Sequence, residues 1–245
     1  MPTTLFESKS VGELVSERIG RASLFEKLGI DFCCNGNQLL PQACQQAGVE
    51  LEEACSLIQQ DDLSAQKSDD IDWTAVSPSD LIDHIVNVHH AYLREAFPQI
   101  ERLLKKIVEV HGLRHPELQS MREIFSELKQ ELETHMMKEE QILFPIIKTL
   151  EQSLTSQTTP EPFHCGSVNN PIRMMEHEHD IAGEILRRLR KLSHQYQLPE
   201  DACTTYQLTF NQLSELETDL HLHIHKENNI LFPAGAKMEQ QLEQR

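Results

Sequence analysis

The chain has 245 residues, 39 of them acidic and 22 basic, and a formal net charge of −17. Counterion release draws proteins onto phosphate backbones only where Lys and Arg dominate, so neither nucleic acid nor an anionic membrane surface is expected as a partner. No run approaches the ~18 apolar residues needed to span a bilayer. The opening MPTTLFESKS has neither a basic n-region nor an apolar core, so a cytoplasmic protein is expected. Thirteen histidines and six cysteines then point to metal or thiol chemistry, or to simple burial, rather than to disulfides.

Apolar residues at 11, 14, 15, 19, 22, 24, 25 and 28 have helical spacing, and Gly29 suits the position that ends a helix. A turn-rich segment follows with two adjacent cysteines, Cys33 and Cys34. Short helices are expected near 39–47 and 50–60, completing a small helical domain over 1–60. The polar, acidic stretch 61–77 reads as a linker. Its end, Ser77-Pro78-Ser79-Asp80, is a helix start, with Ser77 as N-cap and Pro78 in the first helical position. Long helical patterns then fill 78–112, 116–151, 170–196 and 199–240. Pro98 should kink the first, Ser153–Pro171 is a loop, and Pro199 suits the start of the fourth. The predicted fold is all-α, a four-helix bundle over 78–240 behind a small N-terminal helical domain.

The chemistry lies in a repeat. THMMKEEQILFP (134–145) and LHIHKENNILFP (222–233) agree at seven of twelve positions. Counting from His135, Leu128, Leu132, Glu139, Ile142 and Leu143 share one helical face. Counting from His223, the same offsets hold Leu216, Leu220, Glu227, Ile230 and Leu231. Each helix therefore aims a His and a Glu, one turn apart, inward from an apolar stripe. A single His-x-x-x-Glu is commonly an exposed polar pair. Burying an unpartnered imidazole and carboxylate costs several kcal/mol apiece, and doing so twice calls for a cation. His221 and His225 have polar offset neighbours and read as solvent-facing, as does His177, whereas His179 has Ile172, Met175, Ala182 and Leu186 around it.

The first long helix offers His84, His89, His90 and His111. Periodicity leaves His84 and His89 equally eligible, and a weak pseudo-repeat of acid-His pairs (Asp83-His84, Glu178-His179) favours His84. Four imidazoles and two carboxylates exceed one tetrahedral zinc. They suit two iron ions bridged by carboxylate and oxo groups, with an exchangeable position left over.

DFCCNGNQ (31–38), LIDHI (81–85), HMMKEEQILFP (135–145), MEHEHD (175–180) and HIHKENNILFP (223–233) together resemble the bacterial iron–sulfur cluster repair di-iron proteins, which join a Cys-Cys domain to a hemerythrin-like domain. The resemblance spans nearly the whole chain. It implies iron ligands at His84, His135, Glu139, His179, His223 and Glu227, selecting His84 over His89, and it places Glu178 beside a ligand as a supporting acid. His111 matches a family histidine without a derived role. Where the family has Gly-Gly after the cysteine pair, this chain has Asn35-Gly36, and Cys165 matches nothing in it.

What the resemblance implies is repair of iron–sulfur clusters damaged by oxidative and nitrosative stress, by iron delivery or nitric oxide chemistry. Glu178, Cys33 and Cys34 are the candidate catalytic groups. Nitric oxide reduction is the candidate enzymatic activity, and no hydrolase or transferase site is recognisable. A hemerythrin-like oxygen or nitric oxide carrier or sensor is the alternative. The partners implied are damaged iron–sulfur proteins and small ligands such as nitric oxide or oxygen. The apolar N-terminal helices suggest a homodimer. Cys33 and Cys34 are expected near a helix start, where thiolates are favoured, while Cys44, Cys55 and Cys203 read as buried apolar residues.

Overall fold

A computed structural model describes residues 4–64 and 71–244. Among them there is no strand, only one isolated bridge between Ser10 and Leu39. The helices are α1 (Thr4–Glu7), α2 (Val11–Glu17), α3 (Arg21–Leu28), α4 (Leu40–Ala47), α5 (Leu51–Ser64), α6 (Pro78–His84), α7 (Ala91–His111), α8 (Glu117–Lys138), α9 (Phe144–Ser156), α10 (Asn169–Leu192), α11 (Thr204–Lys226) and α12 (Phe232–Glu243). Three short π-helical segments join them: π1 (Ile85–His90) between α6 and α7, π2 (Glu139–Leu143) between α8 and α9, and π3 (Glu227–Leu231) between α11 and α12.

The chain divides into two compact units. One holds the described residues up to Leu81 together with those from His221 onward, and the other holds Ile82–Leu220. The second unit holds the core of a four-helix bundle; the bundle expected from the periodicity ran over 78–240, whereas π3 and α12 fall in the first unit. Leu93, Phe97, Ile100, Leu104 and Ile107 of α7 share a core with Leu118, Met121, Phe125 and Leu128 of α8, Ile185, Leu186 and Leu189 of α10, and Tyr206, Phe210, Leu213, Leu216 and Leu220 of α11. Side chains of this kind contribute about 1.5–3 kcal/mol each on full burial. Helix α7 runs through Pro98 without ending.

The first unit departs from the expected single helix over 11–28. The chain breaks at Arg18, whose backbone is extended, and restarts after Gly20 as α3. Ser10 and Glu13 form a reciprocal capping box at the start of α2. The break lets the buried Arg21 guanidinium reach the Leu14 carbonyl at 2.8 Å and Asp62 at 2.8 Å. Gly29 closes α3 with φ 68°, as expected. Ser77 caps α6 by accepting the Asp80 N–H at 3.1 Å. Helix α5 extends through Ser64, so the expected linker begins inside a helix, and its residues 65–70 lie outside the described ones. Helix α11 begins at Thr204, five residues beyond Pro199; three successive residues with positive φ, His194–Tyr196, turn the chain between α10 and α11.

The core of the first unit gathers Val11, Leu14, Val15, Phe25, Phe32, Leu40, Cys44 and Cys55 with Ile224. Cys44 and Cys55 are the buried apolar residues expected, and burial pushes both thiols up. His225, by contrast, does not face solvent. It is fully buried with its ring 5.7 Å from Phe32, and His221 is half-buried with Nδ1 3.2 Å from Glu26. The polar side of that helix is covered by the N-terminal segment, a partner that periodicity within one helix does not reveal.

Two backbones approach closely in this unit. The Gly12 N–H donates to the Gly36 carbonyl at 2.8 Å, and a Cβ on Gly12 would lie 2.8 Å from that oxygen and 2.5 Å from Asn229 Oδ1. Gly12→Ala is therefore expected to destabilise the protein by about 1–3 kcal/mol, read as a lower urea midpoint with unchanged slope.

Candidate metal centre

The repeated sequence Glu-x-x-Ile-Leu-Phe-Pro explains why the helix widens where it does. Pro145 lacks an N–H and its ring crowds the carbonyl one turn back, so a regular i→i−4 ladder cannot pass through it. The chain accommodates this with a π turn. The Phe144 N–H reaches back five residues to the Glu139 carbonyl, and the Phe232 N–H does the same to Glu227 ahead of Pro233. Single π turns of this kind concentrate at functional sites. Here each begins on the glutamate of the repeat.

Within the bundle unit, Glu139 is fully buried, and His90, His135 and His179 are buried around it. His90 Nε2 lies 3.3 Å from Glu139 Oε2, and His135 Nε2 lies 3.2 Å from Oε1. His179 Nε2 faces His135 Nε2 at 3.0 Å, and one donor atom from each of His135, Glu139 and His179 lies within 4.8 Å of the others. The far nitrogen of two rings is engaged by a carboxylate: His135 Nδ1 by Glu178 at 2.9 Å and His90 Nδ1 by Glu140 at 2.7 Å.

Burial opposes ionisation of Glu178, but the hydrogen bonds from His135 and Lys138 outweigh it and hold its carboxyl down to about 2. Glu140 is likewise lowered, burial being overcome by His90 and Arg94. Ionised carboxylates only accept hydrogen bonds, so the proton of each neutral ring sits on Nδ1 and the Nε2 lone pair points inward. Lone pairs and a carboxylate facing one another in a buried hollow form a donor set that fits a cation. The imidazole–carboxylate pairing behind it is how metal-binding histidines are oriented.

His84, the ligand expected from the resemblance, is half-buried with its ring 5.4 Å from that of His89. His89 is buried with Nδ1 2.8 Å from Asp219. His90, which the periodicity did not single out, lies beside Glu139. The physical reason is π1: a 3.6-residue projection loses phase across Ile85–His90, where the Ala91 N–H reaches back to the Val86 carbonyl. No proline announces this turn. Glu178 takes its hydrogen bonds from His135 and Lys138, so it acts on the hollow through His135. His177 is exposed, as expected.

In the other unit, His223 and Glu227 are both buried, with Nε2 3.1 Å from Oε1, reproducing the spacing of His135 and Glu139. The next two residues reach the cysteine turn. Asn229 Nδ2 donates to the Phe32 and Cys33 carbonyls, each at 3.3 Å, and Asn228 Nδ2 donates to Cys33 at 3.3 Å. That turn is not a helix start. The Asp31 Oδ1 accepts the backbone N–H groups of Cys33, Cys34 and Asn35 at 3.2, 3.0 and 3.3 Å. It also lies 3.4 Å from Cys33 Sγ, and the two sulfurs are 3.8 Å apart. The neighbouring Cys34 thiol, burial and the Asp31 charge together push the Cys33 thiol well up. The expected thiolate-favouring setting is reversed.

Burial works against Asp31 ionisation too, yet the Asn35 side chain and the turn's N–H groups hold its carboxyl below the usual range. A depressed folded value means a contribution present above the unfolded pKa of about 4 and lost as pH falls through the folded one. Asp31→Asn should therefore flatten the acid limb of the stability–pH curve and leave the neutral-to-alkaline limb parallel to the parent, measured by urea midpoints.

These arrangements place the chain in a known class. Residues 81–234 match the hemerythrin HHE cation binding domain, and residues 7–62 match a domain of unknown function, ScdA_N. The chain is 35% identical over 232 residues to a probable iron-sulfur cluster repair protein of Haemophilus influenzae, covering 93% of this chain and 96% of that one. It is 36% and 34% identical over 228 residues to iron-sulfur cluster repair proteins YtfE of an Enterobacter species and Citrobacter koseri, with the same coverage. The chain belongs to the iron–sulfur cluster repair family of hemerythrin-domain proteins. No helix among its described residues is long and apolar enough to cross a membrane.

His90→Ala and His84→Ala should each lower bound metal, by elemental analysis of the purified protein. Glu140→Gln and Glu178→Gln should each weaken metal affinity about 10–100-fold in a chelator competition.

Proposed function

We propose that the chain repairs damaged iron–sulfur clusters in the cytoplasm through a di-iron centre. Its ligands in this reading are His84, His135, Glu139 and His179, with His223 and Glu227 from the second copy of the repeat and His90 as a further imidazole beside Glu139. The observation that carries the metal assignment is the buried Glu139 carboxylate with His90 and His135 within 3.3 Å, each ring oriented from behind by an acid. Two copies of His-x-x-x-Glu support two ions, since each copy supplies a carboxylate and an imidazole. The repair role rests on the relatives' names, which favour it over an oxygen or nitric oxide carrier.

When bound, an iron pair supplies redox-active ions that can exchange ligands or leave. The protein's own contribution is orientation and exclusion of water. Glu178 and Glu140 hold His135 and His90 as inward-facing bases, and the apolar walls around them raise the strength of every electrostatic interaction inside. Cys33 and Cys34, with a raised Cys33 thiol beside Asp31, are suited to staying reduced.

Two measurements test this. Purified protein should hold two irons per chain, with oxo-to-iron charge-transfer absorption after air oxidation; one iron per chain would remove the di-iron assignment. Iron-loaded protein should restore activity to a hydratase whose [4Fe–4S] cluster has been damaged by nitric oxide, and His135→Ala should not. Equal recovery with both, or with free ferrous iron alone, would remove the repair reading.

A further inference from the structure

In the turn between α3 and α4 lies a cluster of ligand-type side chains that the bundle centre does not use. Asp31, Cys33 and Cys34 each offer one donor atom, and the three atoms lie within 4.8 Å of one another. The sulfurs are 3.8 Å apart, and Cys33 Sγ is 3.4 Å from Asp31 Oδ1. A disulfide would bring the sulfurs to about 2 Å; these two are unjoined.

Those separations are edges of a coordination tetrahedron. With metal–sulfur bonds of about 2.3 Å and a metal–oxygen bond of about 2.0 Å, tetrahedral angles set two sulfurs about 3.8 Å apart and a sulfur and an oxygen about 3.5 Å apart. Both edges already have the length that a bound ion requires. The turn holds this shape by itself. Asp31 Oδ1 accepts three successive backbone N–H groups, and Oδ2 accepts from Asn35 Nδ2 at 2.8 Å. Asn228 and Asn229 both donate to the Cys33 carbonyl. Little ordering therefore remains to be lost when a ligand arrives. Cys33 is buried, whereas Asp31 and Cys34 are half-buried, so the cluster is anchored on one side and reachable on the other.

We propose that Asp31, Cys33 and Cys34 hold one thiophilic divalent cation of the zinc class, with a fourth position open to water or an incoming ligand. Thiolates select such ions over magnesium and calcium. Both thiol protons pass to the buffer as the dication enters, so the net charge of the cluster is the same before and after. The cation offsets the repulsion that two thiolates and a carboxylate would otherwise suffer at this distance. Three protein ligands with an open fourth position mark a site whose ion can exchange ligands, whereas closed four-ligand sites are structural. The proposal depends neither on the iron of the bundle nor on the repair role.

The test uses the full-length, iron-loaded protein, reduced and kept free of oxygen, with cobalt(II) as the probe. About one equivalent should bind beyond the iron, releasing about two protons and giving a sulfur-to-cobalt charge-transfer band in the near ultraviolet. Zinc should displace it, and excess magnesium or calcium should not. Cys34→Ser and Cys33→Ser should each abolish the band and weaken zinc binding by more than about 100-fold, beyond what loss of a ligand's outer partner costs. Asp31→Asn should keep a band and bind zinc about tenfold more weakly. His135→Ala should leave the band unchanged, since imidazole and carboxylate ligands give no sulfur transition. A titration without the band, a band that survives Cys34→Ser, or cobalt taken up only as iron is lost would overturn the proposal and leave these contacts as thiol hydrogen bonds. Should Cys33→Ser fail to fold, Cys34→Ser alone decides.

Discussion

A proline that cannot donate a hydrogen bond determines where this protein places its acids. Pro145 and Pro233 each interrupt a long amphipathic helix, and in each case the ladder is rescued by a bond spanning five residues, from a phenylalanine N–H to a glutamate carbonyl. The same residue thus anchors the π turn with its backbone and faces the interior with its side chain. Its carboxylate is positioned by main-chain geometry and does not rely on a long side chain finding its own way. The leucines on either side of each turn bury it, and burial is what gives a cation there its value to the fold.

Carboxylates then play two opposite parts. Behind His135 and His90, Glu178 and Glu140 fix a tautomer and turn an imidazole into a directed base. Beside Cys33, Asp31 is held ionised by its own turn and opposes the loss of the thiol proton. One charge makes a ligand more available and the other makes a nucleophile less so. The difference lies in the charge the neighbour develops when it becomes reactive: positive on a ring that binds a cation, negative on a thiol that loses its proton.

How much of this could be read from the residues depended on the regularity of the backbone. The bundle was legible because Leu128, Leu132, Leu216 and Leu220 keep a 3.6-residue period over many turns. His135, Glu139, His179, His223 and Glu227 were legible because a repeat and an apolar surround coincide. The place of His90 beside Glu139 was not, since a π turn without proline shifts the phase between His84 and Ala91 and leaves no mark in composition. The environment of His225 was hidden for another reason: its cover comes from Phe32, almost two hundred positions away, and a helix's own pattern cannot name what packs on it. Cys203, expected to be buried, is exposed because it stands one residue outside the helix whose pattern seemed to include it.

The contact between Gly12, Gly36 and Asn229 also governs how such a protein can be rebuilt. Two glycine backbones meet with no room for a methyl group, and the carboxamide that fills the remaining gap belongs to the far end of the chain. A hybrid that grafts the thiol-bearing segment of one relative onto another would have to carry residues from 221 onward with it. In this architecture the interchangeable module is discontinuous, made of both termini, and shuffling at the apparent domain boundary would cut through it.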